Sequence, residues 1–301
     1  MILRNSSLKW LLLIALSCAE WIWMKSAGFQ LDDDVLRHGE LIVVLLLVSW
    51  VYFYTGRERR IMELSHFGAQ YMYLFLVLAV LSYLAVSTNK PLADRHFDTL
   101  DRAMGFDWAA WKNWVFAHPW FRFVLFVAYH SLPIQLFFCY IYNAHIRASW
   151  RNSEIWWITF VSGLVTIAGS ALFPASNPYV YYGLEDANHF EHMQHFLGLR
   201  TGTLHIVGGG NDEGLIQLPS FHTILAIMLT YNVRHNRWLF LIAAVLNGAL
   251  ILGCPTEGSH YFIDLVVGAA VAAATIWVVR VLDRQPAIQW VTLEAPVQVT
   301  Q

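Results

Sequence analysis

The chain has 301 residues, of which 57% are hydrophobic and 13% are charged, and its formal net charge is −2. Soluble domains carry roughly a quarter charged residues, so this composition excludes an ordinary soluble domain and indicates a polytopic membrane protein. The charge balance offers no basic surface for nucleic acid. The three cysteines lack the spacing of a disulfide framework or a metal site.

Eight continuously apolar segments predict membrane-spanning helices, because helices satisfy every backbone polar group within a span. The fold is therefore predicted to be an all-α, polytopic bundle of about eight transmembrane helices. The first segment follows Arg4 and Lys9 but lacks a small-residue cleavage site, which predicts a retained signal-anchor helix. The segments are roughly 8–24, 41–56, 69–87, 120–142, 155–173, 215–233, 238–254 and 260–283.

Lysine and arginine are distributed unevenly between the connections. With eight spans, eleven of the 19 basic residues fall at the termini and in the short connections of one side. Both termini are therefore predicted to be cytoplasmic, and the long loops 88–119 and 174–214 to face outward. In loop 88–119, Trp108, Trp111 and Trp114 lie beside charged residues. This pattern predicts an amphipathic helix in the headgroup layer or an aromatic belt that anchors the next span.

Two ionisable residues, His260 and Asp264, lie four positions apart at the start of the last apolar segment. Ionisable groups are costly in a membrane span, so the pair indicates a functional site. Residues four apart share one face of a helix, and Asp264 is predicted to accept a hydrogen bond from one ring nitrogen of His260. The other ring nitrogen would then be available as a nucleophile for covalent catalysis.

A second histidine, His222, lies in the sequence QLPSFHTILA, where Pro219 favours the first turn of a helix. The chain is predicted to cross inward from there, to turn in the sequence NVRHNRW, and to cross back outward. His222 and His260 would therefore meet at the same outer end of a helical hairpin. Two histidines and one aspartate would converge there, near the lipid headgroups.

Four motifs resemble those of one known family. PSFH, 219–222, and GSHYFIDLVVG, 258–268, resemble the type 2 phosphatidic acid phosphatase superfamily, most of all its inositol phosphorylceramide synthase-like branch. LFPASNPY, 172–179, and LRTGTLHI, 199–206, resemble two further motifs of that branch, in the same order. The resemblance covers about residues 120–283 and implies a six-helix phosphatase-like core.

The resemblance also implies a reaction. His260 would attack a phosphorus atom and form a phosphohistidine, and Asp264 would orient the ring and stabilise the imidazolium. His222 would protonate the leaving alkoxide and then serve as base for the incoming acceptor. General chemistry agrees, because covalent catalysis divides a high barrier into two steps and a positioned acid adds roughly 10²–10⁴-fold. Neither a metal nor another cofactor is expected.

A transferring phosphoryl group needs cationic or N–H donors, and here the sequence departs from the wider superfamily. That pattern contains Lys-x6-Arg-Pro and a Ser-Arg pair, whereas this chain shows no Lys-x6-Arg-Pro and has Gly253 and Cys254 in place of the pair. Arg200 is the best substitute, because a guanidinium binds phosphate through two hydrogen bonds. Further phosphate-binding candidates are Ser220, through the N–H groups near it, His205 and Tyr261, and candidates for lining the pocket are Tyr129, His130 and Pro174.

Other histidines suggest other interpretations. His189, His192 and His195 invite a zinc site, but His189 and His195 do not share a face of a helix, which favours headgroup recognition or a structural role. Axial ligation of haem by His130 or His222 would make the chain an electron carrier with a Soret band. A lipid transporter that kept the fold alone would not need its catalytic histidines.

The sequence therefore favours an integral-membrane lipid phosphate phosphatase at the outer membrane face, with lipid phosphates and membrane lipids as its partners. A phosphotransferase that uses an alcohol acceptor would share the same intermediate. Short loops favour a bacterial inner membrane, although a eukaryotic endomembrane with a lumenal site would give the same charge pattern. The expected regions are N-terminal helices with the outer loop at 1–118, a catalytic core at 119–284 and a polar tail at 285–301.

Overall fold

The computed structural model describes residues 5–184, 191–208 and 215–283, and within them the chain is a bundle of helices. This architecture confirms the all-α membrane bundle that the sequence predicts. The polar tail predicted at 285–301 lies outside the described residues. The first elements are α1 (Ser6–Ala27), β1 (Gln30–Leu31), α2 (Asp33–Thr55) and α3 (Arg59–Val86).

The following long loop folds into two helices, α4 (Asp94–Ala103) and α5 (Trp108–Ala117), which we call the outer segment. The buried residues of α4 are Asp94, Phe97 and Asp101. Two of these three are acids, so the buried face of α4 is not an ordinary apolar stripe. The outer segment must therefore meet polar groups of the core.

The segment predicted as one span over 120–142 is a pair of helices, α6 (Pro119–His130) and α7 (Leu132–His145), which meet at an angle of 46°. Pro133 lies in the first turn of α7. Proline has no N–H to continue the hydrogen bonds of α6, which accounts for the break. The next helix is α8 (Trp150–Leu172).

Short elements lie between α8 and the last helices: α9 (Pro178–Tyr181), α10 (Glu191–Thr201) and β2 (Ile206–Val207). The strand β2 pairs in parallel with β1, and Gln30 lies opposite Ile206. The sequence did not predict this pairing, because two residues per strand are too few to produce an alternating pattern.

The chain ends, within its described part, in three helices that carry the two histidines. They are α11 (Phe221–Asn232), α12 (Arg237–Glu257) and α13 (Phe262–Asp283). Ser220 is the N-cap of α11, and its side chain accepts the Thr223 N–H. Pro219 therefore precedes the helix and does not occupy its first turn, contrary to the prediction.

Each of the eight segments predicted as spans contains a helix, but not every one of these helices is long enough to count as a span. Six helices in the part of the chain that the structure describes are long and apolar enough to cross a membrane, or seven if the bent pair counts as one span. The helix α11 has only 12 residues and reaches about 18 Å, well short of a hydrocarbon core of roughly 30 Å. The apolar residues 215–220 approach α11 without being helical.

The N-terminal helices pack directly on the core. Lys9 of α1 is fully buried, and its Nζ donates to Ser153 of α8 at 2.8 Å. The same ammonium lies 5.3 Å from the ring centroid of Trp156. Lys9 therefore links α1 to α8 inside the protein through a hydrogen bond and a cation–π contact. The sequence instead predicts it as a basic residue at the end of the first span.

A close approach of α13 to the start of α11 fixes the position of His222. Gly268 of α13 lies so near that a Cβ there would meet the carbonyl oxygen of Ser220 at 2.8 Å. On the other side, a Cβ at Gly169 of α8 would meet the carbonyl oxygen of Leu218 at 2.7 Å. Both contacts are with backbone atoms, which cannot move aside cheaply. Two glycines therefore clamp residues 218–220 between α8 and α13.

We expect Gly268→Ala to lower the thermal unfolding midpoint in detergent, because overpacking against backbone costs about 1–3 kcal/mol. The matched control is Gly248→Ala in α12, where an added Cβ meets nothing within 4 Å. That control should be neutral or slightly stabilising, because alanine favours helix more than glycine does. Equal midpoints for the two variants would contradict the clamp.

Candidate active site

His260 lies in the turn between α12 and α13, and it is 5% exposed while Asp264 is fully buried. Its Nδ1 lies 3.2 Å from Oδ2 of Asp264, so the predicted contact is present. The two residues do not share one helix, as the prediction assumed, because α13 begins after His260, at Phe262. Asp264 is in the first turn, and its Oδ2 also accepts the Tyr261 N–H at 3.0 Å. One carboxylate thus caps the helix and holds the ring.

His222 lies in the first turn of α11, and its ring centroid is 6.5 Å from that of His260. The ring of Tyr129, from α6, stacks on His222 with 4.4 Å between centroids, and its hydroxyl lies 3.3 Å from Nδ1 of His222. Because Nδ1 of each histidine has a partner, Nε2 is left for chemistry on both. The structure thus brings the two histidines and Asp264 together, as the hairpin prediction requires.

Ser220 joins α11 to α13 and is fully buried. Its N–H donates to the carbonyl oxygen of Asp264 at 2.9 Å. Its Oγ accepts the Thr223 N–H at 3.4 Å. The Ser220 N–H is therefore already used within the protein. Helix geometry leaves the first-turn N–H groups of Phe221 and His222 for an anion at the start of α11.

Trp108 of the outer segment is fully buried against the turn 258–261 that contains His260, which we call the catalytic turn for the role proposed below. Its indole N–H donates to the carbonyl oxygens of His260 at 3.1 Å and Pro255 at 3.2 Å. Trp108 therefore packs within the protein and does not face lipid headgroups directly. Trp114 is 47% exposed and Trp120 is 70% exposed, so these two remain open to the surroundings.

Two buried acids of α4 also reach the catalytic turn. Asp94 accepts the Tyr261 hydroxyl at 2.8 Å, and Asp101 accepts the N–H groups of Phe262 and Ile263 at 2.8 Å each. Burial raises the pKa of Asp101 to about 6, while those two N–H groups act in the opposite direction. Together with Trp108, these side chains contact every residue from 260 to 263.

Sequence analysis missed the roles of Asp94, Asp101 and Trp108. In the sequence these acids are visible only as charges of the outer loop 88–119. The sequence did contain a signal, because Asp94, Phe97 and Asp101 fall on one face of a helix. A helix that only lies on the surface would not bury a face with two acids. No local pattern identifies the groups that such a face would contact.

The other phosphate-binding candidates lie in different surroundings. The Nη2 of Arg200 donates to the carbonyl oxygen of Lys90 at 2.7 Å, and Asp94 lies within its electrostatic reach. His205 is exposed, and its ring packs on Phe29 with 5.3 Å between centroids. The hydroxyl of Tyr261 is committed to Asp94. Thus His205 is not among the residues that the structure gathers at the histidine pair.

Two of the pocket candidates have other contacts. His130 is exposed, its ring lies tilted at 35° to that of Phe126 with 4.1 Å between centroids, and its Nδ1 lies 2.9 Å from the carbonyl oxygen of Phe126. Pro174 is buried, and its carbonyl oxygen accepts the Ala93 N–H at 2.7 Å. Tyr129 alone of the three lies directly on a catalytic candidate.

The histidine cluster of the zinc interpretation is only partly described. His189 lies outside the described residues, and nothing is known of the side chain of His192. The Nδ1 of His195 lies 3.1 Å from the hydroxyl of Tyr83. Within the described ranges, no group of three or more His, Cys, Asp or Glu side chains could hold a metal ion.

Comparison with known families places this site in context. The PAP2 superfamily matches residues 95–278, which is more than half of the chain, and the protein belongs to this superfamily. Membership indicates phosphatase-type activity on phosphoric monoesters. The match begins within α4 and so includes most of the outer segment. Comparisons with curated proteins and with solved structures found no significant match.

We expect Tyr129→Phe to lower turnover about tenfold, because it removes the hydroxyl that holds Nδ1 of His222 but keeps the stacked ring. The unfolding midpoint should stay close to that of the unaltered protein. Tyr142→Phe in α7 provides a matched control, because that ring stacks on Phe138 away from the histidines. Equal turnover of the two variants would show that the hydroxyl does not orient His222.

Proposed function

We propose that the protein is an integral-membrane lipid phosphate phosphatase that acts through a phosphohistidine on His260. One observation carries the proposal: the rings of His260 and His222 lie 6.5 Å apart, with Asp264 on Nδ1 of His260. A tetrahedral phosphoryl group placed between the two rings would face a nucleophile on one side and a proton donor on the other. The PAP2 superfamily match supports the same chemistry.

The first step forms the covalent intermediate. The lone pair on Nε2 of His260 attacks phosphorus, the bond from phosphorus to the ester oxygen breaks, and its electron pair goes to that oxygen. Protonated His222 donates its proton to the departing oxygen, so an alcohol leaves. Asp264 stabilises the positive charge that the ring of His260 acquires.

The second step restores the protein. Water attacks the phosphorus of the phosphohistidine, and His222, now neutral, takes the proton of the water. The phosphorus–nitrogen bond breaks, and its electron pair returns to His260. Inorganic phosphate leaves. An alcohol in place of water would give a phosphotransferase through the same intermediate.

The charge on the transferring group needs donors at the site. The N–H groups of Phe221 and His222 at the start of α11 suit an anion, and a helix N-terminus favours negative charge. We propose Arg200 as the cationic donor, because its reach to Asp94 brings it near the Tyr261 side of the catalytic turn. Its hydrogen bond to a backbone carbonyl leaves four of its five N–H donors for other partners.

The orientation in the membrane is also a proposal. Arg234, at the far end of the α11–α12 hairpin, lies 3.6 Å from Glu154, and Arg151 lies at the same end. The positive-inside rule assigns this basic end to the cytoplasm. The histidine pair would then open toward the outer face, which in a bacterial inner membrane is the periplasm or exterior. Lipid phosphates of that leaflet are the substrates that we expect.

His260→Ala should abolish phosphate release from lipid phosphates without unfolding the bundle, because the nucleophile is lost. Release should be measured from detergent-purified protein in excess EDTA, with phosphatidic acid, lysophosphatidic acid and a polyprenyl diphosphate as substrates. Activity that persists in EDTA and disappears in the variant would support metal-independent histidine chemistry. Activity retained by the variant would contradict the proposal.

Absence of phosphate release from all lipids would direct the test to the phosphotransferase. A labelled phospholipid donor would then be supplied with inositol, glycerol or ceramide as acceptor. Transfer of label that requires His260 would keep the nucleophile and change only the acceptor.

His222→Ala should spare an activated aryl phosphate and lose alkyl phosphates, because a good leaving group needs little protonation. The kcat for the aryl phosphate divided by the kcat for the alkyl phosphate should be roughly 10²-fold higher in this variant than in the unaltered protein. Parallel loss on both esters would rule out the acid role of His222.

A further inference from the structure

The N-terminus of α13 has more N–H donors than its own side chains accept. A helix start leaves its first N–H groups without intrahelical partners. Asp264 accepts the N–H of Tyr261, the residue just before the helix, at 3.0 Å. The next two donors, on Phe262 and Ile263, are satisfied from outside the hairpin by Asp101. The outer segment therefore completes the helix that presents the nucleophile.

We propose that Asp101 is a positioning residue for His260, which it acts on through Asp264. By accepting the N–H groups of Phe262 and Ile263, it leaves the carboxylate of Asp264 free to hold Nδ1 of His260. The inference rests on the proposed role of His260 as nucleophile.

The physical basis is that the two oxygens of Asp264 turn together: Oδ2 holds His260, while Oδ1 is buried and has no hydrogen-bond partner among the described residues. Asp264 is the third residue of α13, within reach of the N–H groups at the helix start. A buried N–H without an acceptor is costly, so without Asp101 the Oδ1 of Asp264 would turn toward those donors and carry Oδ2 away from His260. Its 3.2 Å contact with His260 is at the long end of the hydrogen-bond range, and this contact would be lost first.

The surroundings of Asp101 agree with this role. Asp101 is 1% exposed, and among the described residues no Lys or Arg lies within ion-pair distance of it. A buried carboxylate needs hydrogen-bond donors, and the start of α13 supplies two together with its positive dipole end. A purely structural role for Asp101 would be to hold α4 against the core through the same contacts. Measuring kcat of Asp101→Ala with Asp264 present and with Asp264 replaced separates the two roles.

The test uses an activated aryl phosphate, which makes the nucleophilic step independent of His222. We expect Asp101→Ala to lower kcat roughly tenfold to hundredfold with little change in KM, because the nucleophile is misplaced rather than the substrate site. The matched control is Asp98→Ala, one turn away on α4, where the carboxylate pairs with Arg102 and Tyr182. That control should stay within about twofold of the unaltered protein.

The decisive comparison repeats Asp101→Ala in the Asp264→Ala background, where no side-chain acceptor is left to hold Nδ1 of His260. If Asp101 acts through Asp264, Asp101→Ala should lower kcat little further once Asp264 has already been replaced. A merely structural tie would lower kcat by the same factor in both backgrounds and would overturn the proposal. Equal kcat for Asp101→Ala and Asp98→Ala would overturn it as well.

Two further variants keep the test decisive. If Asp101→Ala does not fold, Asp101→Asn keeps one oxygen acceptor for one of the two N–H groups and should show intermediate kcat. Unaltered kcat in Asp101→Asn would contradict the proposal. His260→Ala is measured alongside: full activity there refutes the proposed function itself, whereas loss there with an active Asp101→Ala refutes only the positioning role.

Discussion

The structure depends on how two helix starts inside the bundle satisfy their N–H groups. The helices α11 and α13 both begin beside the histidine pair inside the bundle, where their first-turn N–H groups need acceptors. At α13 the donors are taken by two carboxylates, Asp264 and Asp101. At α11 a serine hydroxyl takes one donor, and those of Phe221 and His222 are left for an anion. The first start holds His260, which we propose as the nucleophile, and the second is where we propose that the phosphate binds.

The two starts are also joined to each other. The Ser220 N–H donates to the carbonyl oxygen of Asp264, and the absence of a side chain at Gly268 allows this approach. The distance between His222 and His260 is therefore set by backbone contacts. This rigidity suits catalysis, because catalytic groups held close to their working geometry gain most of their effect from position. A shift of α13 along α11 would move both histidines relative to the phosphorus.

The sequence predicted the helical bundle, the hairpin and the convergence of His222, His260 and Asp264. It could do so because apolar runs, a basic turn and a four-residue spacing are local signals. The contacts of Asp101 with α13 join residues more than 160 positions apart, and no local pattern specifies which carboxylate caps which helix. The length of α11 was misjudged for a related reason, since apolar residues before Ser220 look the same whether helical or extended.

The departures from the wider superfamily pattern also have a structural counterpart. A Cβ at Gly253 would meet Cβ of Leu125 at 3.3 Å, and Cys254 is fully buried beside Thr223. The place of the Ser-Arg pair is thus packed, with Gly253 against α6 and Cys254 against α11. The proposed site must draw its phosphate donors from elsewhere, and the start of α11 together with Arg200 is our proposal for them.

The most direct test of the account is to trap the covalent intermediate. Purified protein would be mixed with a short-chain lipid phosphate, quenched within milliseconds in base, and digested for mass spectrometry. Phosphohistidine survives base and is lost in acid, which distinguishes it from phosphoserine. The account predicts a phosphoryl group on the peptide that contains His260, and its absence from the His260→Ala variant. A phosphoryl group on His222, or turnover without any phosphohistidine, would contradict the account.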